Sequence, residues 1–145
     1  EMTSSLVGSE MCIRDRVIAQ IEEGKMEIGM GQHGEGGGGL TEMKTADETA
    51  AIMIDALLRD LDIKKGEKLL VIVNGVGATT LMEQLIVFRK CCHYLAEKGI
   101  EVVANIVGEV LTVQEMAGFQ LFISRMDDEL LKYWNAPCRT PYYKN

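Results

Sequence analysis

Residues 67–80 read EKLLVIVNGVGATT, and this stretch decides the fold. Leu69–Val73 is an unbroken apolar run, rich in β-branched residues and too short to make a helix of its own. A strand without polar alternation is one buried on both faces, as in a parallel or mixed sheet. Gly75 and Gly77 end it, and Thr79 or Thr80 is placed to cap a following helix.

That helix is expected over residues 79–99, with Gly99 at its carboxyl end. A β-branched strand follows at 100–111, a short helical turn at 112–118, a strand at 119–126 and a last helix from Asp127, stopped by Pro137. Upstream, residues 45–63 form the clearest helix. Thr45 caps it, Glu48 completes a capping box, and Ile52, Ala56, Leu57 and Leu61 supply an apolar stripe. Residues 17–31 read as two short extended pieces around a turn at Glu23-Gly24. Alternating strands and helices of these lengths predict an α/β domain, a mixed central sheet flanked by helices. The short link between Met116 and Phe119 leaves the direction of the last strand open.

The 145 residues suit one domain with a real core, and 47 % hydrophobic with 26 % charged residues are proportions of a globular chain. A net charge of −7 speaks against nucleic acid or an anionic membrane as partner. No apolar run approaches the roughly 18–20 residues of a membrane span, and the opening residues lack a signal-peptide pattern. Cys91, Cys92 and Cys138 form no CxxC pair, so reduced thiols in a cytoplasmic protein are expected instead of a disulfide framework or a zinc site.

The first sixteen residues fit nothing that follows. Leu6–Arg16 back-translates without a break into a transposon-type sequencing adapter, and Ser5 continues the same string. Residues 1–16 are therefore expected to be artefactual and disordered, with the α/β domain running from 17 to 145 and an N-terminal domain missing.

Three motifs have plain readings. NGVGATT (74–80) lacks both the GxGxxG spacing and the P-loop lysine, so a capped strand-to-helix turn explains it better than a phosphate site. Asp127 and Asp128 sit where helix caps belong, in preference to a metal site. His93 and the methionines, Met53, Met82 and Met116 among them, read as structural. GMGQHGEGGGG (29–39) is different, because Gly31 and Gly34 leave the His33 imidazole sterically open. A neutral imidazole serves as base, ligand or nucleophile, yet a flexible connector fits the composition equally well. No Cys or second His lies near enough in sequence to suggest a metal cluster.

The blocks MEIGMGQHGEGG (26–37), TADETAAIMIDALL (45–58), VNGVGATTLMEQ (73–84), EMAGFQLFISRMDDELLKYWNAP (115–137) and TPYY (140–143) occur here in a distinctive order. Together they resemble the C-terminal half of the substrate-binding (K) subunit of dihydroxyacetone kinases, from Lys25 to the end. The resemblance implies that His33 is the nucleophile forming a covalent hemiaminal with the ketone carbon of dihydroxyacetone, with Gly31, Gly34 and Glu35 completing the substrate loop. It implies that the acid and base groups lie in the N-terminal half, so that this fragment alone is inactive. No cofactor or metal is expected in this domain. The phosphoryl donor would be carried by a separate nucleotide-bearing L subunit of the phosphotransferase-system type, and the full-length protein would be a homodimer. A non-catalytic paralogue, sensing dihydroxyacetone as a regulator or co-activator, is the alternative. One departure is visible: a proline common after H-G-E in the family is replaced by a glycine run, Gly36–Gly39.

Overall fold

A computed structural model of the chain describes residues 2–8, 21–29, 39–111 and 116–144. Six strands form one sheet: β1 (Met2–Gly8), β2 (Lys25–Ile28), β3 (Leu40–Glu42), β4 (Lys68–Gly75), β5 (Glu101–Gly108) and β6 (Gly118–Arg125). They lie in the order β3-β2-β1-β6-β4-β5. β4 pairs with β5 in parallel and with β6 antiparallel, which settles the direction that the short 116–119 link left open. The sheet is mixed, as expected.

β4 reads as it does because both its faces are covered. Leu69, Val71 and Val73 point to one side, into a core with Leu121 and Ile123 of β6. Leu70 and Ile72 point to the other, toward Ala104, Met126, Leu131 and Trp134. The first face carries α1 (Ala46–Asp60) and α2 (Leu81–Glu97); the second carries the short α3 (Asp128–Trp134), which buries no residue fully. Along β5 the register steps from Val102 to Ala104 opposite the consecutive Leu69 and Leu70, leaving Val103 as an extra, bulged residue.

Both long helices begin with complete capping boxes. Thr45 and Glu48 close α1, and Thr80 and Glu83 close α2, each pair satisfying amide groups that the first turn leaves without helical partners. Arg125 clamps the far end of the sheet: its Nε donates to Glu67 at 2.6 Å and its guanidinium to the carbonyls of Leu61 and Asp62. Asp55 joins α1 to α2, accepting from Tyr94 Oη at 2.8 Å and from Lys98 Nζ at 2.9 Å.

Several expectations change. The buried stripe of α1 is Thr49, Ala50, Met53, Ile54, Leu57 and Leu58; Ile52 is 39 % exposed, because the face is set by β4 and β6 rather than by the most apolar heptad. Met82 is 70 % exposed and is not core, while Met53 and Met116 are buried. Met116 forms a bridge to Gly77 instead of ending a helical turn; residues 112–115 lie outside the described ones. Met2–Gly8 is a strand, paired with β6 along its whole length and with β2 at its end, where disorder was expected. A ladder reads backbone N–H and C=O groups, so a stretch with no apolar pattern of its own can still fill a strand position.

Truncating a fully buried side chain leaves a cavity, so Leu121→Ala is expected to lower unfolding free energy by about 3 kcal/mol, against about 1 kcal/mol for removal of the α2 cap in Thr80→Ala. Urea denaturation of both variants checks the order. A second expectation concerns pH. Partial burial pushes the Asp55 carboxyl up, but hydrogen bonds from Lys98 and Tyr94 outweigh it and hold the group below its ordinary value of 3.8. A depressed carboxyl stabilises the fold above its unfolded-state value and loses that contribution as pH falls through the folded one. Asp55→Asn should therefore cost under about 1 kcal/mol at neutral pH, the pair being half exposed. The difference should begin to shrink as pH falls below the ordinary value of 3.8 and vanish only below the lower folded-state value. Thermal melts of both proteins from pH 7 to 2.5 test it.

Candidate functional site

β2 and β3 form an antiparallel hairpin, with Lys25 opposite Glu42, Met26 opposite Thr41 and Glu27 opposite Leu40. Its base is firmly held. Met26 is buried in the main core, Lys25 pairs with Glu42 at 3.2 Å, and Met43 N donates to Gly24 O at 2.8 Å. Gly29 and Gly39 flank the connection with φ of 81° and 96°, angles a side chain resists. His33, Gly31, Gly34 and Glu35 belong to this connection, residues 30–38, which lie outside the described residues.

The carboxyl end of β4 is built around Asn74. This fully buried amide donates to Gln120 Oε1 at 2.9 Å and to Leu111 O at 3.0 Å, and accepts from Val110 N and Leu111 N at 2.6 and 2.7 Å. Gln84, also buried, donates to Thr79 O and Glu109 Oε1, both at 3.0 Å. Gly75 leaves room for these ends, since a Cβ there would overlap the Gln84 amide and the Glu109 carboxylate and displace both. Tyr142 donates its hydroxyl to Glu109 O, tying the TPYY segment to the same end of the sheet. These side chains organise loops among themselves. At the α2 terminus the place of an external anion is taken by Glu83, whose carboxylate accepts from Thr80 N at 2.8 Å. Hydrogen bonds from Thr80 hold that carboxyl below its ordinary range. NGVGATT is thus a capped turn, with Thr80 as the cap.

The remaining candidates are structural too. Asp127 caps α3, accepting from Leu130 N at 2.7 Å, and Asp128 pairs with Lys68 at 3.1 Å. His93 is exposed on α2. Burial pushes the Cys91 thiol up to about 12, which makes it inert as a nucleophile. Among the described residues no group of three His, Cys, Asp or Glu side chains is placed to hold a metal, and no helix is long and apolar enough to cross a membrane. The reading of single residues missed the Asn74–Gln120 pair and Gln84. Their signal was a lone amide inside each of two apolar strands, VIVNG and FQLFI.

A family model described as the Dak1 domain matches residues 2–142. The dihydroxyacetone-binding subunit DhaK of PTS-dependent dihydroxyacetone kinase 2 from Listeria innocua is 34 % identical over 143 residues, 99 % of this chain and 43 % of that protein. A D-erythrulose kinase of Mycolicibacterium smegmatis is 37 % identical over 130 residues, 90 % of this chain and 22 % of its own length. The chain therefore spans less than half the length of these relatives. Among solved structures, the dihydroxyacetone kinase operon co-activator Dha-DhaQ superposes with a TM-score of 0.83 at 24 % identity, covering 94 % of this chain and 44 % of that one, a likeness of fold.

Removing the Asn74 side chain would take away the acceptor of two part-buried backbone amides and the donor to the buried Gln120 Oε1. Asn74→Ala is expected to lower unfolding free energy by on the order of 3 kcal/mol and to accelerate hydrogen exchange at Val110 and Leu111. Unchanged exchange at these two amides would show that Asn74 does not hold the loop.

Proposed function

The chain belongs to the Dak1 domain family, and from that premise we propose that it is the part of a dihydroxyacetone kinase substrate-binding subunit that tethers the ketone on His33. The carrying observation is the GMGQHGE block, which sits in the connection of a hairpin whose two ends are pinned by the core and by Lys25–Glu42. The DhaK subunit of Listeria innocua, 34 % identical, supports dihydroxyacetone as the substrate. The erythrulose kinases, such as the one 37 % identical, support the wider class of short hydroxyketones.

In the proposed step a neutral imidazole nitrogen of His33 adds to the ketone carbon. The C–N bond forms from the lone pair of the unprotonated ring nitrogen as the carbonyl π pair moves to oxygen, which takes up a proton, and the other ring nitrogen gives one up. The product is a neutral hemiaminal with both hydroxymethyl groups intact, one of them free to accept phosphate. Tethering fixes a small, weakly held substrate and removes much of the entropy cost of orienting it. It also discriminates against glycerol, which has no carbonyl to attack. Phosphate would come from a separate nucleotide-carrying subunit in a phosphotransferase-system arrangement, acting on a homodimeric full-length protein in the cytoplasm. Gly31, Gly34 and Glu35 would shape the loop, and no metal or cofactor is assigned to this domain. Transfer itself would need groups from the part of the family's length that this chain does not span, so the chain alone is expected to bind without turning over.

Intact-protein mass spectrometry of the chain incubated with dihydroxyacetone should show one adduct, absent from His33→Ala and from wild type given glycerol. An adduct that survives in His33→Ala overturns the assignment. Competition between dihydroxyacetone and erythrulose for that adduct ranks the two substrates.

A further inference from the structure

A cavity of about 320 Å³ lies beneath the N-terminal turns of α1 and α2, room for roughly ten waters at ~30 Å³ each. Its floor is apolar, made by the buried Met26, Val87 and Phe119. Met43 and Ile86 stand at its mouth, 58 % and 43 % exposed, so it opens to solvent. Lys44 also lines it and is half-buried. Among the described residues Lys44 enters no ion pair; it acts through space on Glu48, a carboxylate already bonded to Thr45. Glu83, at the same cavity, has its carboxylate turned to the backbone and hydroxyl of Thr80.

This lining suits a ligand unlike the ketose. Dihydroxyacetone carries a carbonyl and two hydroxyls and needs a hydrogen-bonding partner for each. Of the polar side chains here, Thr49 already donates to Met26 Sδ and Glu83 is taken by Thr80, which leaves Thr79 and Lys44 over a floor of Met, Val and Phe. A pocket of this size with an apolar body and one charged group fits an amphipathic molecule held by burial and oriented at its head. We infer that the cavity is a binding site for a small monoanion, a carboxylate on an aliphatic or aromatic body. The head lies against Lys44 and the body over Met26, Val87 and Phe119. Leu81, Met82 and Leu85 continue the apolar surface outward from Ile86 along one side of α2, so a longer tail has a place to lie. The site stands independently of the role proposed for His33.

Titration calorimetry of the chain with hexanoate, hexan-1-ol and acetate tests the inference. Saturable binding of hexanoate is expected, with hexanol and acetate at least ~10-fold weaker, about 1.4 kcal/mol. Lys44→Gln should bring hexanoate down to the level of hexanol. Ile86→Trp, at an exposed position, should close the mouth and abolish binding of both while leaving the thermal melt unchanged. Absence of saturable hexanoate binding, or binding indifferent to Ile86→Trp, overturns the site, and equal affinity for hexanoate and hexanol overturns the carboxylate head. Size-exclusion chromatography runs beside it: a dimer that Ile86→Trp dissociates, with no hexanoate binding, would mean that a second copy of the chain fills the cavity.

Discussion

The molecule depends on β4 having two partners of opposite direction and two apolar faces. Its neighbours β5 and β6 take up its backbone groups on both edges, so its amides and carbonyls have ladder partners on either side. Its alternating side chains then serve two separate cores: Leu69, Val71 and Val73 under α1 and α2, and Leu70 and Ile72 toward α3. A polar residue anywhere between 69 and 73 would be stranded without water or a partner. The polar side chains the strand does carry lie at its two ends, Lys68 where it pairs with Asp128 and, at the carboxyl end, Asn74 where loop amides can reach it.

Position at that end explains why the loops after β4 and β5 are held by side chains rather than by more secondary structure. Asn74 meets four groups, Gln84 bridges the start of α2 to Glu109, and Tyr142 reaches the same segment from the C-terminal turn. Each bond is modest alone, but buried amides joined this way are costly to separate, because a buried polar group left behind loses a partner that water cannot replace. The hairpin that carries the His33 segment is secured differently, by the burial of Met26 and an exposed ion pair. Rigid loops at the end of β4 and an anchored hairpin at the far side of β1 thus have separate supports.

Much of this was legible in the sequence where the signal is local. Capping boxes are set by residues three apart, so Thr45–Glu48 and Thr80–Glu83 could be read directly. The apolar run of β4 announced double burial. The face of α1 was read in part: Leu57 and Leu61 are buried as expected, but Met53 is buried and Ile52 is exposed, a choice made by the sheet beneath and not by side-chain apolarity. The exposure of Met82 has the same origin: it lies on the side of α2 turned away from β4. Asn74–Gln120 joins residues 46 apart, so each lone amide stands out in its apolar strand but nothing local says that the two meet. The role proposed for His33 rests on its family block and not on composition, and the residue lies outside those the structure describes.

The bulge at Val103 has a consequence for how the molecule behaves in a crowd. β5 is an outer strand of eight residues with neither lysine nor proline on it, the kind of free rim that invites another strand to add on. The extra residue breaks the alternation between Val102 and Ala104, so an approaching strand finds its hydrogen-bond spacing correct on one side of the bulge and out of step on the other. A partner running the whole length of β5 would have to carry a matching step, while the parallel pairing with β4 resumes at Ala104 and continues to Gly108.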